Sequence, residues 1–278
     1  MTVQTEPEFG TYALPAAREA VRAKADRYAD TRFGRWRISY ARKKAFKDIP
    51  DPFDIEFMPG VKTRLWPRSS RCEKRVFAGH QVWDREEREA LMSALLFSDS
   101  KPFVFLDVGA NVGLYSLILA ATAKANNIET RILAIEPDKT NGARLAFNIA
   151  ASVAEIKVLP CAISDAKGKG AMVGGDENRG EARLVERSDN DTVQIETLAG
   201  ICKSEKLPHI DAMKVDIEGH DLKALTAFYK SASKKLWPKL LILETGRDPV
   251  TPLLEVCTGH GYTITKRAGI NTVLELRT

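Results

Sequence analysis

The stretch Phe103-Val-Phe-Leu-Asp-Val-Gly-Ala-Asn-Val-Gly-Leu-Tyr-Ser116 decides how this chain folds. A run of apolar, β-favouring residues ends at Asp107, two glycines stand four apart at Gly109 and Gly113, and an apolar segment with helical character begins at Leu114. The pattern predicts strand, tight turn and helix. Gly109 lets the backbone turn sharply without a Cβ, and Gly113 lets a helix start close to a ligand or to the strand. Such a loop, with Ala110 and Asn111 between its glycines, is a candidate nucleotide cradle.

The spacing disfavours a dinucleotide, whose pyrophosphate calls for Gly-x-Gly-x-x-Gly. S-adenosylmethionine (SAM) has no phosphates, so a looser turn around its amino acid and ribose suffices. Asp107-x-Gly109-x-x-x-Gly113 resembles motif I of class I SAM-dependent methyltransferases.

Composition sets the bounds. With 278 residues, 44% of them hydrophobic, the chain can bury a full core. No opening stretch combines a basic segment, an apolar core and a small-residue cleavage site, and no apolar run reaches the roughly 18 residues of a membrane helix, so a cytoplasmic protein is expected. Cys72, Cys161, Cys202 and Cys257 are far apart and form no Cys-x-x-Cys pair, which points to reduced, structural thiols. The net charge of +5 is uneven, with Arg18, Arg22, Arg35, Arg42, Lys43 and other cations crowding residues 1–50. That basic arm suits an acidic partner or a solvated helix face.

Taken in order, residues 1–50 read as a basic helical arm interrupted at Gly34, with Trp36, Ile38, Tyr40 and Phe46 as apolar anchors. The arm can pack on the main domain or pair two subunits of a homo-oligomer. Residues 51–100 read as an extension: a β-hairpin around Pro59-Gly60, a further β run over 74–77, and a helix over 85–97. His80, Trp83, Asp84 and Glu86 can lie near the site, although a helix cap at Asp84 explains the acidic pair as well.

Residues 101–278 read as the nucleotide-binding domain. A strand over 131–135 ends in Glu136, twenty-three residues after Gly113, where a carboxylate can accept both ribose hydroxyls. A third strand over 156–163 ends at Ser164-Asp165, placed to meet an adenine ring or simply to start a turn. Residues 167–191 are a candidate substrate-facing lid. A fourth strand over 210–217 places Lys214 and Asp216 on one face and leads into Glu218-Gly219-His220. A fifth, over 239–243, ends in Glu244 and Arg247, and two short runs suggest a final antiparallel pair. Strands alternating with helices predict a doubly wound, mainly parallel sheet with helices on both faces.

Several of these stretches resemble one family in order and spacing. Phe105-Leu-Asp-Val-Gly-Ala-Asn-Val-Gly113, Ala134-Ile-Glu-Pro137, Ala162-Ile-Ser-Asp165, Met213-Lys-Val-Asp-Ile-Glu-Gly219 and Leu241-Ile-Leu-Glu244 are similar to the FkbM-type SAM-dependent methyltransferases. The resemblance implies the Rossmann-like class I fold with a seven-stranded sheet, SAM as cofactor, and O-methylation of a hydroxyl on a sugar or natural product. Two departures stand out: Thr197-Leu198-Ala199 replaces a Thr-Leu-Asp pattern, and His220-Asp221 stands where the family usually has a glutamate.

Methyl transfer is an in-line displacement, so the protein's task is to align the partners and manage a proton. Asp107, Gly109, Asn111, Gly113, Glu136, Ser164 and Asp165 are the expected cofactor residues, with Asp216 beside them. Asp216 is the candidate base or orienting group, with Lys214, Glu218 and His220 shaping the pocket and Glu244 and Arg247 facing the acceptor. Lys214 and Asp216 can equally form a structural ion pair. Asp216, Glu218 and Glu244 also supply hard oxygens of the kind Mg²⁺ takes. Two alternatives are a nucleic-acid methyltransferase, suggested by the basic arm but lacking an evident stacking-aromatic array, and a catalytically silent SAM-binding scaffold.

Overall fold

A computed structural model describes residues 6–174, 183–186 and 193–277. The helical elements are α1 (Ala16–Ala25), α2 (Arg32–Ala45), α3 (Arg71–Phe77), α4 (Arg85–Leu96), α5 (Leu114–Ala125), α6 (Lys139–Ser152), α7 (Leu198–Ser204), α8 (Asp221–Ser231) and α9 (Pro252–Gly259). The first strands are β1 (Phe53–Met58), β2 (Val61–Leu65), β3 (Phe103–Val108), β4 (Thr130–Ile135), β5 (Lys157–Leu159) and β6 (Cys161–Ile163). They are followed by β7 (Gly168–Val173), β8 (Arg183–Glu186), β9 (Val193–Glu196), β10 (Ala212–Val215), β11 (Leu240–Glu244), β12 (Tyr262–Ala268) and β13 (Asn271–Leu276).

A seven-stranded sheet in the order β12-β13-β11-β10-β3-β4-β5 forms the centre. All neighbouring pairs from β11 to β5 are parallel, and β13 runs antiparallel to both its neighbours. Strand pleating sorts the core into two faces. Phe103, Phe105, Ala212, Leu240 and Ile242 pack with side chains from α2 to α5 and the β1–β2 hairpin. Val104, Leu106, Val108, Met213, Val215, Leu241 and Leu243 pack with α7, α8 and α9. The strand order reverses between β3 and β10, and in open α/β sheets the crevice outside the carboxyl ends at that switch is where ligands bind.

The loop after β3 is built by close approach. Gly109 has φ +81°, and a Cβ there would lie 1.9 Å from the carbonyl oxygen of Asp216 on the neighbouring strand end. Gly113 has φ +87°, and a Cβ there would strike Leu145 of α6 at 2.3 Å. Gly109 therefore requires glycine for conformation and for space, and Gly113 for its left-handed conformation.

Several local expectations are corrected. The run over 74–77 is the end of helix α3, because Ser70 caps the helix by accepting from the Glu73 N–H and outweighs the β-favouring residues. The strand expected over 156–163 is two strands in different sheets, parted at Pro160, which has no N–H to continue a ladder. β6 leaves the central sheet for a four-stranded one in the order β6-β9-β7-β8. The expected lid over 167–191 includes β7 and β8, while 175–182 and 187–191 lie outside the described residues. Gly34 does not interrupt the arm. It lies within the first turn of α2, where a Cβ would sit 1.9 Å from the Ala29 carbonyl oxygen, and the break falls before Thr31, the N-cap. Trp36 and Tyr40 are not anchors but outward-facing, whereas Ile38 and Phe46 are buried as expected. The cysteines are free thiols, as expected.

The arm and extension dock through a buried ion pair. Arg64 of β2 is 0% exposed, its guanidinium donates to both carboxylate oxygens of Asp54 at 2.7 and 3.0 Å, and the two residues face each other across the hairpin. Asp54 also accepts from the backbone N–H groups of Gly10 and Tyr12, which fastens the N-terminal segment. The hairpin is stitched to α6 by Asn148, which accepts from the Arg64 N–H and donates to the Val112 carbonyl in the glycine loop. Removing one partner of a buried charge pair typically costs about 3–5 kcal/mol. Asp54→Ala is expected to lose that amount in urea denaturation, and an unchanged midpoint would show that the pair holds nothing together.

Candidate active site

A cavity of about 1220 Å³ opens over the carboxyl ends of β3, β4, β10 and β11. Its floor is the strand seam. Register places Lys214 beside Asp107 and Val215 beside Val108, so the residues that follow, Asp216 and Gly109, meet at the mouth of the crevice. The Asp216 N–H donates to the Val108 carbonyl at 3.0 Å, extending the ladder one step.

Lys214 is the electrostatic centre. Its ammonium donates to Asp216 Oδ2 at 2.9 Å and stands 5.2 Å from the centroid of the Tyr115 ring. Burial acts to lower its pKa, but the carboxylates of Asp216, Asp107 and Asp84 outweigh burial and hold the amine above its ordinary value. The same contact holds Asp216 below the ordinary carboxylate value despite burial. Glu244, at the end of the adjacent strand, goes the other way. Burial, then the negative charge of Asp216 and a hydrogen bond to it, raise Glu244 from 4.5 to about 8. The ion pair read as an alternative from sequence is therefore formed, and both its members line the cavity.

On the other side of the glycine loop, Glu136 is 6% exposed and accepts from the backbone N–H groups of Asn111 at 2.7 Å and Asp138 at 2.9 Å. Burial dominates those bonds and raises Glu136 to about 7. A carboxylate has about four acceptor positions, so each oxygen keeps capacity toward the cavity. Asn111 has φ +52° and presents a buried Oδ1 that has no partner among the described residues. Cys161, Ala162 and Ile163 supply an apolar wall nearby.

Other expected residues fall differently. Asp107 lies under the loop, 1% exposed, where it accepts from the Ser116 N–H at 3.2 Å and hydroxyl at 2.7 Å, with its carboxylate edge on the cavity. Ser164 and Asp165 are not among the lining residues, because the chain passes the cavity one residue earlier. Ser164 is bonded to Asp165 at 3.0 Å and to His220 Nδ1 at 3.1 Å. His220 itself is turned toward β8, with Nε2 3.3 Å from the Leu184 carbonyl oxygen, and does not line the cavity. His80 is also drawn away, 3.3 Å from Asp26. Glu218, Glu244 and Arg247 do line it.

Asp84 is a gain. It has φ +40° at the start of α4 and no capping bond, and its carboxylate instead accepts from the Tyr115 hydroxyl at 3.1 Å. Trp83 packs edge-on against Tyr115 at 5.3 Å between ring centroids. Tyr115 gave no signal in sequence because it reads as one more apolar position of a buried helix start.

A model of the FkbM methyltransferase domain matches residues 107–264. The chain belongs to the FkbM methyltransferase family. It is a SAM-dependent methyltransferase with the class I fold. A search of curated protein sequences found no match. Among solved structures, the precorrin-6y C5,15-methyltransferase of Geobacter metallireducens is similar at 16% identity and a TM-score of 0.38, over 68% of this chain and 86% of that one. A SAM-dependent methyltransferase of Agrobacterium tumefaciens is 14% identical with a TM-score of 0.44, over 82% and 70%. The tRNA (uracil-54, C5)-methyltransferase of Pyrococcus abyssi is 10% identical with a TM-score of 0.42, over 81% and 42%. Likeness at this level says nothing about the acceptor of this FkbM protein.

The oxygens of Asp216, Glu218 and Glu244 lie within 4.8 Å of one another. That convergence was not legible from spacing, yet it lends Mg²⁺ no support by itself, since the positive charge beside Asp216 is already supplied by Lys214.

The raised carboxyl groups have a stability consequence with a definite sign. A carboxyl whose folded pKa exceeds its unfolded value keeps protons that the unfolded chain gives up, so stability falls as pH rises between the two. For Glu244 that window runs from 4.5 to about 8. Glu244→Gln is expected to raise Tm relative to the natural protein at pH 9 and to leave it unchanged at pH 4. Equal effects at both pH values would show that Glu244 is not raised.

Proposed function

We propose that this FkbM methyltransferase transfers a methyl group from SAM to a hydroxyl oxygen of a small-molecule or glycan acceptor. The observation behind this reading is the Asp216–Glu244 pair, two carboxylates whose oxygens lie within 4.8 Å of each other at the strand ends beside the glycine loop, able to take up one proton. SAM, when bound, would supply an electrophilic methyl whose bond to sulfur breaks as the acceptor oxygen attacks the carbon, with the neutral thioether leaving.

The residues fit that cofactor. Glu136, with its remaining acceptor positions, would take the ribose hydroxyls, and the unpartnered Asn111 Oδ1 would accept a further donor. Gly109 and Gly113 keep the loop low, and Asp107 fixes the start of α5 through Ser116. Side chains between Asp30 and Arg42 and between Arg71 and Glu89 contribute the outer wall of the cavity and are assigned the choice of acceptor.

Asp216, ionised and held by Lys214, is assigned to orient the acceptor hydroxyl. A carboxylate held so low is a weak base, and Brønsted behaviour favours a group with a pKa near working pH. Glu244 meets that condition at about 8. The proton released as the oxygen–methyl bond forms is therefore assigned to the pair, with Glu244 its final holder.

Three outcomes follow from this assignment. In calorimetry, S-adenosylhomocysteine should bind the natural protein at micromolar levels and bind Glu136→Ala much more weakly. Asp216→Asn should keep that binding and lose turnover by about 10²-fold or more. Turnover should rise with pH through about 8, lose that rise in Glu244→Gln, and stay unchanged with EDTA. Near-normal turnover of Asp216→Asn would overturn the assignment.

One observation favours a second reading, methylation of RNA. Phe33, Trp36 and Tyr40 are 66%, 62% and 60% exposed and stack along α2 at 5.7 and 6.1 Å between centroids. Arg37 lies over the Tyr28 ring at 4.0 Å beside them. These exposed rings among arginines are the chemistry that could hold a single strand, which supports this second reading. Binding of an RNA oligonucleotide that weakens steeply with salt would support this reading, and weak, salt-insensitive binding would remove it.

A further inference from the structure

The cavity extends beyond the cofactor loop, and its outer wall comes from α2, α3 and α4, all outside the residues that match the family. Acidic side chains along that wall have partners. Asp30 pairs with Arg35, Asp84 accepts from Tyr115, Glu86 lies 3.7 Å from Lys266, Glu87 accepts from Asn271, and Glu89 pairs with Arg85.

Two cations on the wall lack such a partner. Arg42 donates Nε and Nη2 to the Ala78 carbonyl at 3.3 and 2.8 Å, a neutral acceptor. Arg75 makes no hydrogen bond or ion pair among the described residues. The carboxylate nearest in charge to Arg42, Asp26, is occupied by Arg22, His80 and the Gly79 N–H. Burial, and then repulsion by Arg75, bring Arg42 down to about 10. Two guanidinium groups that repel each other at the edge of a cavity are an arrangement an anion would relieve. Arg42 is held at the Ala78 carbonyl, three residues on from Arg75, and both side chains line the cavity.

We propose that Arg42 and Arg75 form an anion subsite for the acceptor, which carries a phosphate ester at a distance from the hydroxyl that is methylated. This rests on the small-molecule reading above and narrows it. Two guanidinium groups match the two charges of a phosphate monoester and present paired N–H donors to its oxygens. Clamping the phosphate outside the reaction centre leaves the hydroxyl free to reach Asp216.

The test is calorimetric titration of the full-length protein with inorganic pyrophosphate, with and without saturating S-adenosylhomocysteine. Arg75 is exposed, so Arg75→Gln should fold normally, and Arg42→Gln serves as the second variant. Pyrophosphate is expected to bind at millimolar levels or tighter and to weaken at least tenfold in Arg75→Gln, while S-adenosylhomocysteine affinity stays unchanged. Equal pyrophosphate binding by natural protein and variants, or none by a protein that binds S-adenosylhomocysteine, would overturn the subsite. Displacement of pyrophosphate by an RNA oligonucleotide but not by a hexose phosphate would overturn it as well, assigning the arginines to a nucleic-acid backbone. Failure to bind S-adenosylhomocysteine would count against the cofactor assignment alone, because the titration without it still reads the two arginines.

Discussion

One buried ammonium holds the centre of this protein together. Lys214 stands among Asp216, Asp107 and Asp84, and only a retained positive charge makes three acidic groups tolerable in so small and so buried a volume. Its consequences spread along the strands. Asp216 stays ionised because Lys214 is there, Glu244 is driven toward protonation by burial and then by the charge of Asp216, and the two acquire opposite shifts at adjacent strand ends. Acid and base roles on one fold arise from such divergence. The glycine at 109 belongs to the same constraint, since it lets the loop lie against the Asp216 carbonyl without displacing the strand end that carries the charge.

Much of this was readable in the chain. The Gly109–Gly113 spacing fixed a loop at a strand end, Glu136 fell at the tip of the neighbouring strand by simple counting, and Lys214 and Asp216 shared a strand face by period alone. What escaped reading has physical causes. Helix α3 hid because a cap at Ser70 acts from outside the run it stabilises. Pro160 looked like the middle of one strand because a single residue redirects the chain between sheets. His220 follows a motif-bearing strand and invites a catalytic role, but its ring direction depends on Ser164 and Leu184, which are distant in sequence. Exposure of Phe33, Trp36 and Tyr40 was invisible for a similar reason. Their neighbours Ile38 and Ala41 take the packed face, and sequence does not say which face that is.

The division of labour in the molecule follows the boundary of the family match. The described part of residues 107–264 supplies the loop, Glu136 and the charged strand ends, while the helical arm and the extension supply the outer wall. A catalytic sheet served by an added wall is a common economy, because specificity can change on the added part without disturbing charges whose balance the core depends on.

Asn148 gives that arrangement a mechanical side. One amide side chain grips the hairpin strand at the Arg64 N–H and the cofactor loop at the Val112 carbonyl, with no exposed surface of its own. The hairpin is tied in turn to the N-terminal segment through Asp54. A shift of the hairpin therefore pulls on the same side chain that holds the Val112 carbonyl of the glycine loop. Through this one joint the N-terminal segment, the hairpin and the glycine loop are packed as a single mechanical unit.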